Sequence, residues 1–130
     1  MSADKQLEAL IVEDDPQMQI ILISRLADFG VTANTASNML DALALARLKK
    51  YTLYMTDGRY PLKPGGAPEV ACFKFYEELK KIRPDAKVLL ITGGSDFERD
   101  AMAAGMDFLL KSDFVKQYRA VFSRYFGAPR

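Results

Sequence analysis

The chain has 130 residues, 49% of them hydrophobic, enough apolar material for one core, and a single domain is the expectation. Its 18 Lys and Arg against 17 Asp and Glu give a formal net charge of +1, so neither a broad basic surface for nucleic acid nor an acidic tail is indicated. With no histidine and a single cysteine, Cys72, the chain supplies no internal disulfide, no Cys/His zinc site and no imidazole base, and carboxylates, hydroxyls and lysines must carry any chemistry.

The N-terminal stretch Met1 to Gln6 is polar, and no apolar run reaches the roughly 18 residues of a membrane span. A soluble cytoplasmic protein without a membrane anchor is the expectation. Leu7 to Val12 predicts a first strand running into the acidic sequence Glu13-Asp14-Asp15. Asp15 followed by Pro16 places an N-cap and a proline at the first helical position, and Gly30 stands where a left-handed residue would end that helix after Phe29. Ile20, Ile21, Ile23, Leu26 and Phe29 are its expected buried stripe. Val31 to Thr35 predicts the second strand, with Ser37 as cap of the second helix.

Leu53 to Thr56 predicts the third strand, followed by Asp57 and by the Gly- and Pro-rich stretch Gly58 to Pro68. A third helical pattern resumes near Phe75 to Arg83. Val88 to Thr92 reads as the fourth strand, and Ser95 with Glu98 as a capping box for the fourth helix. Phe108 to Leu110 predicts a fifth strand, running into Lys111. Ser112 or Asp113 is the expected cap of a last helix that buries Phe114, Val115, Tyr118, Val121, Phe122 and Tyr125. Ile11-Val12 and Leu89-Leu90-Ile91 do not alternate with polar residues, as expected of strands covered on both faces. The alternation of strands and helices predicts an α/β fold, a doubly wound five-stranded parallel sheet with five flanking helices.

In such a sheet ligands gather at the carboxyl ends of the strands. Those ends carry Glu13, Asp14 and Asp15, then Asp57, Thr92 and Lys111. Carboxylates brought together from the first and third strands repel one another, and a cation among them relieves the cost. Mg²⁺ suits the need, because it prefers oxygen ligands and is typically held by one or two carboxylates together with phosphate oxygens. A carboxylate beside Mg²⁺ can also act as a nucleophile toward phosphorus. Charge on the transferred phosphoryl group would then be met by the metal, the Lys111 ammonium and the Thr92 hydroxyl. Singly, these features have plainer readings: a capped acidic helix start, a tight turn at Asp57-Gly58, a solvated lysine and an ordinary strand threonine.

Together, Ala9-Leu10-Ile11-Val12-Glu13-Asp14-Asp15-Pro16, Asp57-Gly58-Arg59-Tyr60-Pro61, Leu89-Leu90-Ile91-Thr92-Gly93 and Ala104-Gly105-Met106-Asp107-Phe108-Leu109-Leu110-Lys111 resemble the receiver domains of response regulators. The resemblance covers nearly the whole chain and implies a flavodoxin-like receiver fold, one domain over residues 1–130 with no output domain. It implies Asp57 as phosphoacceptor, and Mg²⁺ on Asp14, Asp57 and the Arg59 backbone carbonyl, with Glu13 acting mostly through metal-bound water. Thr92 and Lys111 would bind the phosphoryl group, and Phe108 would be the aromatic whose position reports the switch. The implied partners are a histidine kinase or histidine phosphotransferase, which brings the donor histidine this chain lacks, and a downstream protein target. Two other functions are compatible with the residues: a phosphorylation-independent docking platform, and a small Mg²⁺-dependent phosphohydrolase. The second lacks an acid/base carboxylate just after Asp57, where Gly58 and Arg59 stand.

The pattern departs from the family at several points. The segment Leu62 to Cys72 reads as an insertion, expected to form an ordered or semi-ordered flap beside Asp57, because Pro61, Pro64 and Pro68 restrict the chain locally while Gly65-Gly66 permits reversal. Thr92 and Lys111 are 19 positions apart, fewer than is usual, so the fourth helix should be short or displaced. Gly94 adds a second glycine after Thr92. Ser112 replaces the usual proline after Lys111, and a cis bond there would cost about 2.5–4 kcal/mol, so a trans bond is expected.

Overall fold

The computed structural model describes residues 6–129; the polar start Met1 to Lys5 lies outside them. Five parallel strands form the main sheet: β1 (Leu7–Val12), β2 (Val31–Ala36), β3 (Leu53–Thr56), β6 (Val88–Thr92) and β7 (Asp107–Leu110), in the order β2-β1-β3-β6-β7. Between them come α1 (Pro16–Ala27), α2 (Met39–Leu48), α3 (Cys72–Ile82), α4 (Glu98–Ala104) and α5 (Lys111–Phe126). The inward residues alternate between two cores. Ala9, Ile11, Leu53, Met55, Leu89 and Ile91 pack against α1 and α5, whereas Leu10, Val12, Tyr54 and Leu90 pack against α2 and α3. Burial on both faces explains the unbroken apolar runs. Among the described residues, no helix is long and apolar enough to cross a membrane.

The insertion is an antiparallel hairpin, β4 (Arg59–Pro61) with β5 (Pro68–Val70), which adds two short strands to the five expected. The register sets Pro61 opposite Pro68, so neither residue of that pair donates to the ladder. Gly65 turns the tip at φ +78°, and the Gly66 N–H reaches the Lys63 carbonyl at 3.0 Å. The root is tied to the sheet: the Gly58 carbonyl accepts from the N–H groups of Ala71 (3.0 Å) and Cys72 (3.3 Å). That return delivers the chain straight into α3, which therefore starts at Cys72, three residues before the expected Phe75.

Helix ends and faces differ from expectation in instructive ways. Asp15 caps α1 as anticipated, accepting from the Gln17 N–H at 3.0 Å, and Gly30 is left-handed at φ +71°. The buried face of α1 is Leu22 and Leu26, however, with Phe29 beyond; Ile20, Ile21 and Ile23 are 67%, 41% and 40% exposed. Residues four apart share a face at 3.6 residues per turn, and the three isoleucines fall off the Met18-Leu22-Leu26 line. Asn38, not Ser37, caps α2: its carbonyl accepts from the Asp41 N–H at 2.9 Å while its amide donates to the Asp41 carboxylate at 2.8 Å. The amide's oxygen and nitrogen reach the two groups from separate atoms, where a hydroxyl would have to serve both from one.

The Ser95–Glu98 capping box does not form. Ser95–Phe97 is a 3₁₀ turn, and the helix behind it has seven residues, as the short Thr92–Lys111 spacing demanded. α5 begins at Lys111 with Leu110 at the cap, so Ser112 and Asp113 lie inside its first turn, where the Asp113 charge favours the helix dipole. Val115 is 68% exposed, and Phe126 takes the place in the buried stripe that the expected set gave to Tyr125, which is half-buried. No peptide bond among the described residues is cis, and Lys111-Ser112 is trans.

Candidate functional site: an acidic cleft at the strand ends

Register alone brings the acidic groups together. Val12 pairs with Thr56 across β1 and β3, so the next residues, Glu13 and Asp57, leave the sheet side by side. The Asp57 N–H is held by the Val12 carbonyl at 2.9 Å and the Glu13 N–H by the Ala36 carbonyl at 3.0 Å. One carboxylate oxygen each from Glu13, Asp14 and Asp57 lies within 4.8 Å of the others. Glu13 is buried; Asp14 and Asp57 are partly exposed.

Lys111, at the end of β7, reaches back across the cleft. Its ammonium donates to Glu13 Oε1 at 2.9 Å and to Asp57 Oδ2 at 3.1 Å. The other Asp57 oxygen, Oδ1, accepts from the Gly58 N–H at 2.6 Å. Burial pushes the Glu13 carboxyl up to about 8, helped by its interaction with Asp57 and opposed by Lys111. Burial works against the Lys111 ammonium, but its hydrogen bond to Glu13 and the charges of Asp57 and Glu13 leave its pKa above the ordinary lysine value. Glu13 Oε2 is the one buried side-chain oxygen among the described residues with no hydrogen-bond partner. A small hard cation fits this donor set, because it would give Oε2 a counter-charge and relieve the repulsion between the carboxylates.

Thr92 is buried at the end of β6, next to β3 in the sheet. Arg59 stands two residues beyond Asp57, at the start of the hairpin, with its guanidinium 5.5 Å from the centre of the Phe97 ring. Phe108 is half-buried in β7, on the α2–α3 side of the sheet. The structure thus gathers Glu13, Asp14, Asp57 and Lys111 into direct contact range, with Thr92 and Arg59 at the rim and Phe108 further back.

Two contributors escaped the sequence reading. The Tyr60 hydroxyl, fully buried, pairs with Thr56 Oγ1 at 2.8 Å, and that hydroxyl donates to the Asp57 carbonyl at 2.8 Å. Tyr60 thereby pins the hairpin beneath the acidic residue; burial pushes its phenol well above the ordinary tyrosine range. The other is Phe97. A polar-tipped aromatic just after an acidic strand end was the available signal for the first, and nothing local in the sequence signals the second.

Comparison with known proteins places the arrangement. No family model matches the chain. A response regulator receiver protein of Anaeromyxobacter sp. (strain Fw109-5) is 39% identical over 83 residues, 64% of this chain. A response regulator protein from Thermotoga maritima, solved in complex with Mg(2+)-BeF, superposes with a TM-score of 0.74 at 25% identity, over 91% of this chain and 98% of that one. The fold is that of response-regulator receiver domains, and the sequence is similar to one of them. The receiver fold recurs in the receiver domain of a sensor histidine kinase from Pseudomonas aeruginosa PAO1, whose structure has a magnesium ion coordinated in the active site cleft. There the TM-score is 0.77 at 20% identity, over 95% of this chain and 100% of that one. The chain spans 32% of the length of its Anaeromyxobacter relative.

Proposed function

We propose that this chain is a receiver domain and a phospho-accepting switch in which Asp57 takes a phosphoryl group from a histidine on a kinase or histidine phosphotransferase. The observation that carries the reading is the convergence on Asp57: a nucleophilic carboxylate flanked by Glu13 and Asp14, with Lys111 already touching it and Glu13 Oε2 still lacking a partner. Asp14, Asp57 and the Arg59 carbonyl would hold Mg²⁺, with Glu13 completing the negative set. When bound, the ion supplies charge neutralisation for the carboxylates and for the phosphoryl oxygens.

The chain's own residues do the rest. An Asp57 carboxylate oxygen forms the new O–P bond as the N–P bond of the phosphohistidine breaks and its electron pair stays on the imidazole nitrogen. Lys111 exchanges part of its contact with Asp57 for the added phosphate charge, and the Thr92 hydroxyl donates to a phosphoryl oxygen. Rearrangement around Thr92 and Phe108 would carry the change to a downstream target.

The test is intact mass after incubation with Mg²⁺ and acetyl phosphate. One labile phosphoryl adduct, lost in Asp57→Asn and in EDTA, is the expected result. Turnover of phosphomonoesters would favour a hydrolase, and absence of any adduct with small donors or a histidine kinase would leave a docking platform. The hydrolase is disfavoured by Gly58 and Arg59, which offer no carboxylate for proton transfer after the nucleophile.

A further inference from the structure

Gly58, between the acceptor Asp57 and the hairpin, is buried, and its bare Cα is a seat for an aromatic ring. A Cβ built on it would lie 2.6 and 2.9 Å from Phe97 Cε2 and Cδ2, distances no real methyl group tolerates, and 3.2 Å from Thr92 Oγ1. The Phe97 ring and the Thr92 hydroxyl therefore flank the same face of the residue whose N–H holds Asp57 Oδ1. Phe97 is held from two further directions. Phe73, in the first turn of α3, meets it edge-on at 5.8 Å and 89°, and the Arg59 guanidinium at the hairpin root lies 5.5 Å from its centre.

Between Thr92 and Phe97 there is no comparable anchor. Gly93, Gly94, Ser95 and Asp96 are all exposed, and nothing stands within 4 Å of where a Cβ would sit on either glycine. Two glycines in succession give this loop wide conformational freedom. A threonine that must meet a phosphoryl oxygen at the tip of such a loop needs a fixed point on its far side.

We propose that Phe97 is a positioning residue for phosphoryl transfer to Asp57: by seating its ring on Gly58 it holds the Thr92 loop, and the Gly58 N–H on Asp57 Oδ1, in the geometry the transfer needs. The inference rests on the phosphoacceptor reading above. With acetyl phosphate as donor, the Asp57 oxygen forms its bond to phosphorus as acetate leaves with the P–O electron pair. No partner protein takes part, so donor docking does not enter the measurement.

The experiment compares phosphorylation rates over a range of acetyl phosphate concentrations with Mg²⁺, for the parent, Phe97→Ala, Phe97→Leu, Gly58→Ala and the Gly58→Ala/Phe97→Ala double variant. In Phe97→Ala the rate at saturating donor should fall about tenfold, with the half-saturating concentration nearly unchanged, because orientation is lost and not donor binding. Phe97→Leu should recover much of the rate. Gly58→Ala, which unseats the ring without altering it, should match Phe97→Ala, and the double variant should be no slower than either, since both remove one contact. Amide hydrogen exchange at Gly93 and Gly94 should accelerate in the same variants. A Phe97→Ala protein as fast as the parent, or losses that multiply in the double variant, overturns the inference while leaving Asp57 as acceptor. A parent that takes up no phosphoryl group overturns the acceptor reading, and the role of Phe97 with it. Should Phe97→Ala fail to fold, Gly58→Ala and Phe97→Leu decide the matter by the same criteria.

Discussion

Replacing Lys111 by methionine separates two cations that compete for the same carboxylates. In the metal-free protein the Lys111 ammonium is the positive charge shared by Glu13 Oε1 and Asp57 Oδ2, at 2.9 and 3.1 Å. At such distances each attraction is worth about 5–6 kcal/mol before desolvation is subtracted, with an effective dielectric constant of about 20. Removing one partner of a buried pair typically costs about 3–5 kcal/mol. Two features reduce that here: the Lys111 side chain keeps 29% of its exposure, and Glu13, whose pKa is already pushed up to about 8, can neutralise itself by binding a proton. Methionine retains most of the apolar stem, so packing changes little. The expected loss is about 2 kcal/mol, a fall in melting temperature of about 6–10 °C for a domain of this size.

Saturating Mg²⁺ should reverse most of it. In the parent the ammonium already offsets part of the carboxylates' charge, whereas in Lys111→Met that charge is uncompensated, so Mg²⁺ affinity should rise about tenfold, or about 1.4 kcal/mol. Thermal melts followed by circular dichroism in EDTA and in saturating Mg²⁺ give both numbers, with Asp14→Asn as the variant that should lose the metal response. If Lys111→Met is as stable as the parent in EDTA and gains no more from Mg²⁺, then Lys111 does not neutralise this cluster and the electrostatic account of the cleft is wrong.

The Glu13 shift predicts a pH dependence of the metal-free protein. Its folded pKa stands above the ordinary value of 4.5, so the folded state binds more protons between 4.5 and about 8, and the stability this group contributes is full below that window and falls as pH rises through it. Chemical denaturation in EDTA across the window should show a downward slope that Glu13→Gln flattens; equal slopes would remove Glu13 as its source. Tyr60→Phe breaks the hydroxyl pair with Thr56 and should cost about 1 kcal/mol in the same assay, with faster amide exchange in the hairpin. Replacing the hairpin tip, residues 63–67, with a short turn should leave the rate with acetyl phosphate unchanged and alter the rate from a cognate histidine kinase. Unchanged rates with both donors would show the tip to be a passive loop.

Much of the architecture was legible because it is written in local periodicity. The runs at Leu7–Val12, Leu53–Thr56 and Val88–Thr92 became strands with those bounds, since strands buried on both faces need uninterrupted apolar residues and end where charge begins. The positions of Glu13, Asp57, Thr92 and Lys111 at strand ends follow from the same pattern, and so does their gathering, because a parallel sheet aligns its carboxyl ends on one edge. Which face of α1 is buried was less legible: four apolar residues at positions 20–23 wrap all sides of the helix, and only packing against the sheet selects Leu22 over its isoleucine neighbours. The same holds for Asn38 over Ser37, a choice between adjacent caps made by the reciprocal pair with Asp41.

The sequence by itself therefore determined the fold class, the edge of the sheet where the chemistry sits and the residue types available there, since these depend on patterns a few residues long. Tertiary structure alone decided that Lys111 bridges Glu13 and Asp57, that the insertion closes into a hairpin with Tyr60 beneath it, and that Phe97 rests on Gly58. Each of these joins residues far apart in the chain, through distances of a few ångströms that no short-range periodicity encodes.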